Sequence, residues 1–157
     1  YSRVDMDARR IRRIVRNLLG NAIEHGEGRP IVVSVDSNRD AVALGVRDFG
    51  MGMRHEDVER VFDRFWRADP SRVRTIGGTG LGLSIALGDA RLHRGTLAVW
   101  SEPGRGSNFV LTLPRDDRAV SSSPLPLTPD DEQGGTREAL GLTQPISLSR
   151  DAIRRAP

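Results

Sequence analysis

The sequence predicts an α+β fold of two layers, with helices packed on one face of a mixed sheet; the same order of elements also permits an antiparallel one. Three observations carry that expectation. Apolar residues recur at helical spacing in some stretches and alternate or run together in others, in the order helix, two strands, helix, loop, helix, two strands. The regular strand–helix alternation of a parallel doubly wound sheet is missing. All seven aromatic residues lie between Tyr1 and Phe109, whereas six of the nine prolines lie at Pro114 or beyond. The core therefore belongs to residues 1–114, a length able to bury one hydrophobic interior.

Asp5 or Asp7 can cap a first helix. Ile11, Ile14, Val15, Leu18, Leu19, Ala22 and Ile23 then form one stripe, and Gly26 marks the end. Asn17, Asn21 and Glu24 fall within ~60° of one another along the edge of that stripe. Helix propensity gives no reason for two asparagines there, but the border between core and solvent is where a side chain can face a cavity. Ile31–Val35 and Ala41–Val46 read as strands around a Ser37-Asn38-Arg39-Asp40 turn. His55–Phe62 reads as a short helix. Leu81, Ile85, Gly88 and Leu92 mark one side of a longer helix that stops at Gly95. Thr96–Trp100 and Asn108–Leu113 complete the set as strands joined through Pro103-Gly104.

Residues 115–157 have no aromatic and no sustained period, and they carry Ser121-Ser122-Ser123-Pro124-Leu125-Pro126 and Asp130-Asp131-Glu132-Gln133-Gly134-Gly135. Such composition buries too little apolar surface to offset the entropy of ordering it, so the segment is expected to be a disordered tail. The net charge is only +3, and every basic residue is arginine. The absence of lysine excludes a Walker P-loop, which needs Gly-Lys-Ser or Gly-Lys-Thr. No cysteine means no disulfide frame, thiolate chemistry or zinc–sulfur site. No apolar run approaches the ~20 residues of a bilayer span. A chain opening on Tyr1-Ser2-Arg3-Val4 reads as a piece of a larger protein.

Gly77-Gly78-Thr79-Gly80-Leu81-Gly82-Leu83 places four glycines ahead of a helix. Glycine lets a ligand approach the main chain, and a helix start offers unpaired N–H groups and a positive dipole end, which suit a phosphate. Asp48-Phe49-Gly50-Met51-Gly52 lies upstream and Gly104-Arg105-Gly106-Ser107 downstream. Asp48, ending a strand, can accept from the amino group of adenine, where guanine presents a carbonyl. The plainer alternatives are a mobile glycine loop and an aspartate that caps a turn. The combination points to a nucleotide.

Asn17-Leu18-Leu19-Gly20-Asn21-Ala22, Asp48-x-Gly50-x-Gly52, Phe62-Asp63-Arg64-Phe65-Trp66-Arg67, the four-glycine run and Gly104-x-Gly106-Ser107-x-Phe109 follow in that order. Together they resemble the N, G1, F, G2 and G3 boxes of the catalytic ATP-binding domain of bacterial sensor histidine kinases. Val4-Asp5-Met6-Asp7-Ala8-Arg9-Arg10-Ile11, Phe65-Trp66-Arg67-x-Asp69-Pro70-Ser71-Arg72 and Ser123-Pro124-Leu125-Pro126 are similar to one actinobacterial branch of that family. The resemblance implies a Bergerat-type sandwich over residues 1–114 and Mg-ATP as the ligand. It also implies γ-phosphoryl transfer to a histidine on a separate dimerisation domain, relay to a response regulator, no nucleic-acid partner, and a place on the cytoplasmic side of an inner-membrane kinase.

Carried onto this chain, the resemblance gives Asn17, Asn21 and Arg64 catalytic roles, with Asn21 as the Mg²⁺ ligand. It gives nucleotide contacts to Asn17, Asn21, His25, Asp48, Gly50, Gly52, Arg64, Arg67, Thr79, Gly80, Leu81, Gly82 and Ser107. Phe62, Phe65 and Trp66 are expected to anchor a lid, residues 68–78, to the core. Glu24 departs from the family, which usually places a lysine or arginine there, and His25 stands where an aromatic is common. His55, His93 and His25 all lack the phosphoacceptor context, so this stretch is expected to bind ATP without carrying its own substrate. A serine-kinase or ATPase relative on the same fold is the second reading, and an arginine-based nucleic-acid module is a third, marked by steep salt dependence.

Overall fold

The first helix begins where the sequence offers a cap. In the computed structural model, which describes residues 6–66, 81–116, 120 and 122–129 and the backbone of 146–148, the Asp7 carboxylate accepts from the N–H groups of Arg9 and Arg10 at 3.0 and 3.4 Å. Helix α1 then runs over Ala8–His25 and closes at Gly26. Ile14, Leu18 and Ala22 are fully buried, as their spacing requires. Strands β1 (Ile31–Ser37) and β2 (Ala41–Asp48) form a hairpin in which Asn38 Oδ1 accepts from the N–H groups of Asp40 and Ala41. Helix α2 (His55–Val58) is one turn long, shorter than expected, and passes into turns. Helix α3 (Gly82–Leu92), β3 (Thr96–Glu102) and β4 (Gly106–Pro114) follow.

The strand order is β3-β4-β2-β1, extended at the β1 edge by β5 (Ile146–Leu148). Every pairing among the described residues is antiparallel, so the expected sandwich is present but its sheet is not mixed. The short β1–β2 and β3–β4 connections dictate this, because parallel neighbours need a long crossover. Strand β2 lies at the centre, paired with β4 from Ala41↔Pro114 to Asp48↔Ser107. Helices α1 and α3 cover one face. Ile14, Leu18, Ala22, Ala86 and Ala90 pack there against Val46, Leu97, Phe109, Leu111 and Leu113. Phe62 meets Phe109 edge-on at 6.2 Å.

Two expectations are corrected on this face. The buried side of α3 is Ala86, Asp89 and Ala90, with Leu83 and Leu87 partly buried. Ile85 and Leu92, placed inside by periodicity, are exposed, Leu92 by 66%. The cause is Asp89, whose carboxylate is turned inward and held by arginines of α1. Phe62 and Trp66 pack on the core as expected, but Phe65 is 68% exposed at a φ of 62° and anchors nothing among the described residues.

The opposite face of the sheet is also covered, by a piece of the stretch expected to be a disordered tail. Ser123 lies over Thr112, their hydroxyls 2.9 Å apart, and the Leu127 carbonyl accepts from Asn108 Nδ2 at 2.8 Å. Between them Leu125, 6% exposed, packs with Ala43 and Val110. The segment thus runs antiparallel over β4, and Leu125 lies over Gly45, where a Cβ would stand in ordinary contact at 3.5 Å from Leu125 Cδ1. One leucine framed by two prolines suffices because the sheet supplies a small-residue hollow and two polar anchors. Leu125→Ala is expected to lower unfolding free energy by about 2 kcal/mol, seen as a lower urea midpoint; a detached tail would leave the midpoint unchanged.

Candidate nucleotide site

Asp48 ends the central strand, and its side chain is taken out of water. It is 1% exposed, faces the helix layer and stands in register with Ser107. Oδ1 accepts from the Gly50 N–H at 3.0 Å, an Asx-type turn that aims the carboxylate. Oδ2 is buried with no hydrogen-bond partner among the described residues. Burial pushes the Asp48 pKa up from the ordinary carboxylate value; the Gly50 N–H, the Arg47 charge and the Ser107 backbone oppose that shift. A buried acceptor left open costs free energy and marks where a donor belongs.

Close backbone contacts hold the walls around it. A Cβ on Gly50 would collide with the His25 carbonyl at the end of α1. One on Gly52 (φ 67°) would meet the Glu102 carbonyl. The Gly104 N–H donates to the Met51 carbonyl at 2.7 Å, and the Met53 N–H donates to Ser101 Oγ, itself 2.9 Å from Ser107 Oγ. The loop after β2 is therefore zipped to the β3–β4 turn. What requires glycine at 50 and 52 here is the protein's own backbone. Beneath the loop the Arg47 guanidinium lies between the Phe49 and Trp100 rings, 4.4 and 5.0 Å from their centroids, and donates to the Asp48 and Ser107 carbonyls.

Helix α1 connects this carboxylate to a second feature. Its C-terminal Gly26 abuts Asp48, where a Cβ would lie 3.7 Å from the Asp48 Cβ. About 13 Å back along its axis, Asn17 borders the start of α3, and a Cβ on Gly82 would stand 3.4 Å from Asn17 Oδ1. Leu81 precedes α3 without a side-chain cap among the described residues, and the first N–H groups of an α-helix have no partner within the helix. Asn21 lies between, one turn beyond Asn17 on the same edge. The arrangement is a buried acceptor at one end, an anion-binding pole at the other, and a polar helix edge joining them.

The sequence-derived residues divide accordingly. Asp48, Gly50, Gly52 and Ser107 come together at the end of β2, and Asn17, Leu81 and Gly82 at the start of α3, while Asn21 and His25 lie on α1 between the two ends. Arg64 is exposed in the turns after α2. Arg67, Thr79 and Gly80, with the expected lid, lie outside the described residues. Sequence reasoning missed Arg47 and Asp89. Arg47 carried a signal, a lone arginine in an apolar strand two residues before Phe49. Asp89 carried none beyond breaking an apolar helix.

Residues 6–117 match the family model described as histidine kinase-, DNA gyrase B- and HSP90-like ATPase. The chain belongs to that family. It is 53% identical over 126 residues to sensor histidine kinase MtrB of Mycobacterium tuberculosis, covering 80% of this chain and 22% of that protein. It is 42% identical over 133 residues to signal transduction histidine-protein kinase AfsQ2 of Streptomyces coelicolor, covering 85% and 23%. Among solved structures, the mycobacterial sensor histidine kinase MprB superposes with a TM-score of 0.60 at 28% identity, over 71% of this chain and 76% of that one. Full-length ShkA in complex with AMPPNP gives 0.59 at 28%, over 74% and 23%. The chain thus spans about a fifth of the length of these curated relatives.

The raised pKa of Asp48 sets a pH window. Its folded value lies above the unfolded one, so the ionised acceptor is lost at higher pH than for an ordinary aspartate as the solution is acidified. Adenosine affinity of the wild type should fall as pH drops from 7.5 towards 4.5, and that of Asp48→Asn should be lower and flat. NMR titration at each pH reads both.

Proposed function

We propose that this domain binds Mg-ATP with the adenine amino group on Asp48 Oδ2 and the phosphates at the start of α3. The γ-phosphoryl group is then passed to a histidine on a separate dimerisation domain, for relay to a response regulator. The observation that carries the reading is the buried, open Oδ2 of Asp48 at one end of α1, with the uncapped α3 N-terminus at the other. An amino group satisfies that oxygen and a carbonyl repels it, which makes the pocket selective for adenine over guanine. Ser107 stands beside the base, and Asn17 borders the phosphates.

The donor set fits Mg²⁺ only in company with the nucleotide. Among the described residues no group of three acidic or histidine side chains could hold a metal, whereas one amide oxygen, from Asn21, joined by phosphate oxygens and water suits this hard cation. Bound there, the ion neutralises charge that builds on the phosphates. This chain's own part is to hold the nucleotide in line and to exclude guanine. Arg64 and Arg67 are assigned to the phosphates, Thr79 and Gly80 to the loop that closes over them, and His25 to the nucleotide's flank. Several arginines are already engaged by the protein's own carboxylates and rings, which favours a nucleotide over a nucleic acid. No helix among the described residues is long and apolar enough to cross a membrane. The parent kinase is assigned to the inner membrane with this domain on its cytoplasmic side.

Calorimetry with ATP, ADP and GTP, with and without Mg²⁺, tests the pocket. Adenine nucleotides should bind and GTP should not. Asp48→Asn should cost about 2 kcal/mol of binding, because a charged acceptor is lost and a donor faces the amino group. Equal affinity for GTP, or an unaffected mutant, would remove the basis for the assignment.

Phosphotransfer is tested in trans. Mixed with its dimerisation domain and labelled Mg-ATP, the chain should label a histidine slowly, since separation forfeits the effective concentration of a linker. The label should be lost in acid, and Asn21→Ala should abolish transfer. Acid-stable label on the chain itself would instead identify a serine kinase.

A further inference from the structure

Helices α1 and α3 run antiparallel, and their polar ties follow one register. At one end the Asp7 N–H donates to His93 Nε2 at 3.1 Å, while His93 Nδ1 lies 2.7 Å from the Asp89 carbonyl. A carbonyl can only accept, so Nδ1 carries the proton and Nε2 receives Asp7. Next, Arg13 donates from Nε and from Nη2 to the two Asp89 carboxylate oxygens, both at 2.7 Å, and Arg10 Nη1 adds a bond at 3.2 Å. At the far end Asn17 faces Gly82. Residue 7 thus meets 93, 10 and 13 meet 89, and 17 meets 82.

Asp89 is 2% exposed on a helix face otherwise lined by alanine and leucine. A buried carboxylate held by a two-point arginine fork is directional, whereas the apolar contacts between Ala86, Ala90, Ile14 and Leu18 are not. Small side chains on α3 leave smooth ridges, which by themselves would tolerate a slide of the helix along its axis. A slide of one turn moves α3 by ~5.4 Å and takes the uncapped N-terminus away from Asn17 and Asn21.

We propose that Asp89, clamped by Arg13 and Arg10, is a positioning residue. It fixes the axial register of α3 against α1 and so holds the anion-binding start of α3 opposite the asparagine edge, without touching the nucleotide. The inference rests on the assignment of the phosphates to that helix end. The hydrogen bonds from Arg13 hold the Asp89 carboxyl below the usual carboxylate range against the opposing effect of burial, so the clamp is ionic at neutral pH.

A positioning role and a merely stabilising one separate by ligand. Adenosine reads the Asp48 end, which the clamp does not reach; the non-hydrolysable Mg-ATP analogue reads both ends. Asp89→Asn keeps the shape and removes the charge, and Arg13→Gln is the milder variant should Asp89→Asn not fold. Each is measured well below its melting temperature, adenosine by NMR titration and the analogue by calorimetry. The expected result is an adenosine affinity within about twofold of wild type and a roughly 3–30-fold weaker analogue. Asp89→Glu, which keeps the charge, should recover part of that loss, and the double variant Asp89→Asn/Arg13→Gln should be no worse than the more severe single one. Parallel weakening of both ligands would show general loosening and overturn the proposal, as would no change in either. Failure of the wild type to bind adenosine would instead overturn the nucleotide site, and this inference with it.

Discussion

The eight-pair ladder between β2 and β4 is the constraint on which the rest of this domain depends. It is the centre of the sheet, and one continuous register runs from Ala41↔Pro114 to Asp48↔Ser107. Because side chains alternate across a strand, that register decides at once which residues enter the helix layer and which face the strap formed by residues 122–129 over the other side. Val46, Asp48, Phe109 and Leu111 go one way; Ala43, Gly45, Asn108, Val110 and Thr112 go the other. A one-residue slip would bring Arg47 into the core and expel Asp48. Arg47 resists such a slip by binding carbonyls on both strands at the end of the ladder.

The site is destabilised where it is specific. A carboxylate at the end of a buried strand pays a desolvation penalty that Gly50 and Arg47 only partly offset. One oxygen is held by the turn and the other is left open, a division that costs stability and is what the proposed adenine contact would use. Asp89 shows the opposite use of the same side chain. Its side chain is also closed off from water, but beneath arginines that are themselves half exposed; both oxygens are filled by them and its pKa is lowered. Two buried aspartates in one small domain thus differ by whether the fold completes their hydrogen bonds, and only the incomplete one is proposed to meet a ligand.

Complete burial of β4 follows from the strap on its outer face. A sheet covered by helices on one side alone would leave Val110 and Thr112 in contact with water. Residues 122–129 supply the missing layer with one apolar side chain and anchors at either end, and the prolines restrict the unfolded chain so that less entropy is lost on docking. The edge of β1 is met by β5, so two separate pieces beyond Pro114 contribute to the sheet. Composition is a poor guide to such segments, because a single leucine in a shaped hollow outweighs a polar average.

The sequence by itself determined α1, α3, the four strands β1–β4 and the ligand class it pointed to. The stripe from Ile11 to Ile23 could only be a helix with an apolar face, the Asn38 turn could only join a hairpin, and the spaced glycine motifs with Asp48 already pointed to adenine and phosphate. These features are local, set by periodicity and backbone sterics over a few residues. Tertiary structure alone decided the rest. The inward side of α3 depends on arginines 76 and 79 residues away reaching Asp89, and periodicity cannot foresee a buried charge that a distant partner neutralises. The structural role of Gly50 depends on where α1 ends, and the fate of Leu125 depends on Ala43 and Val110 of two other strands. Each is a contact between parts of the chain far apart in sequence, where the partner's geometry, and not the residue's own propensity, fixes the outcome.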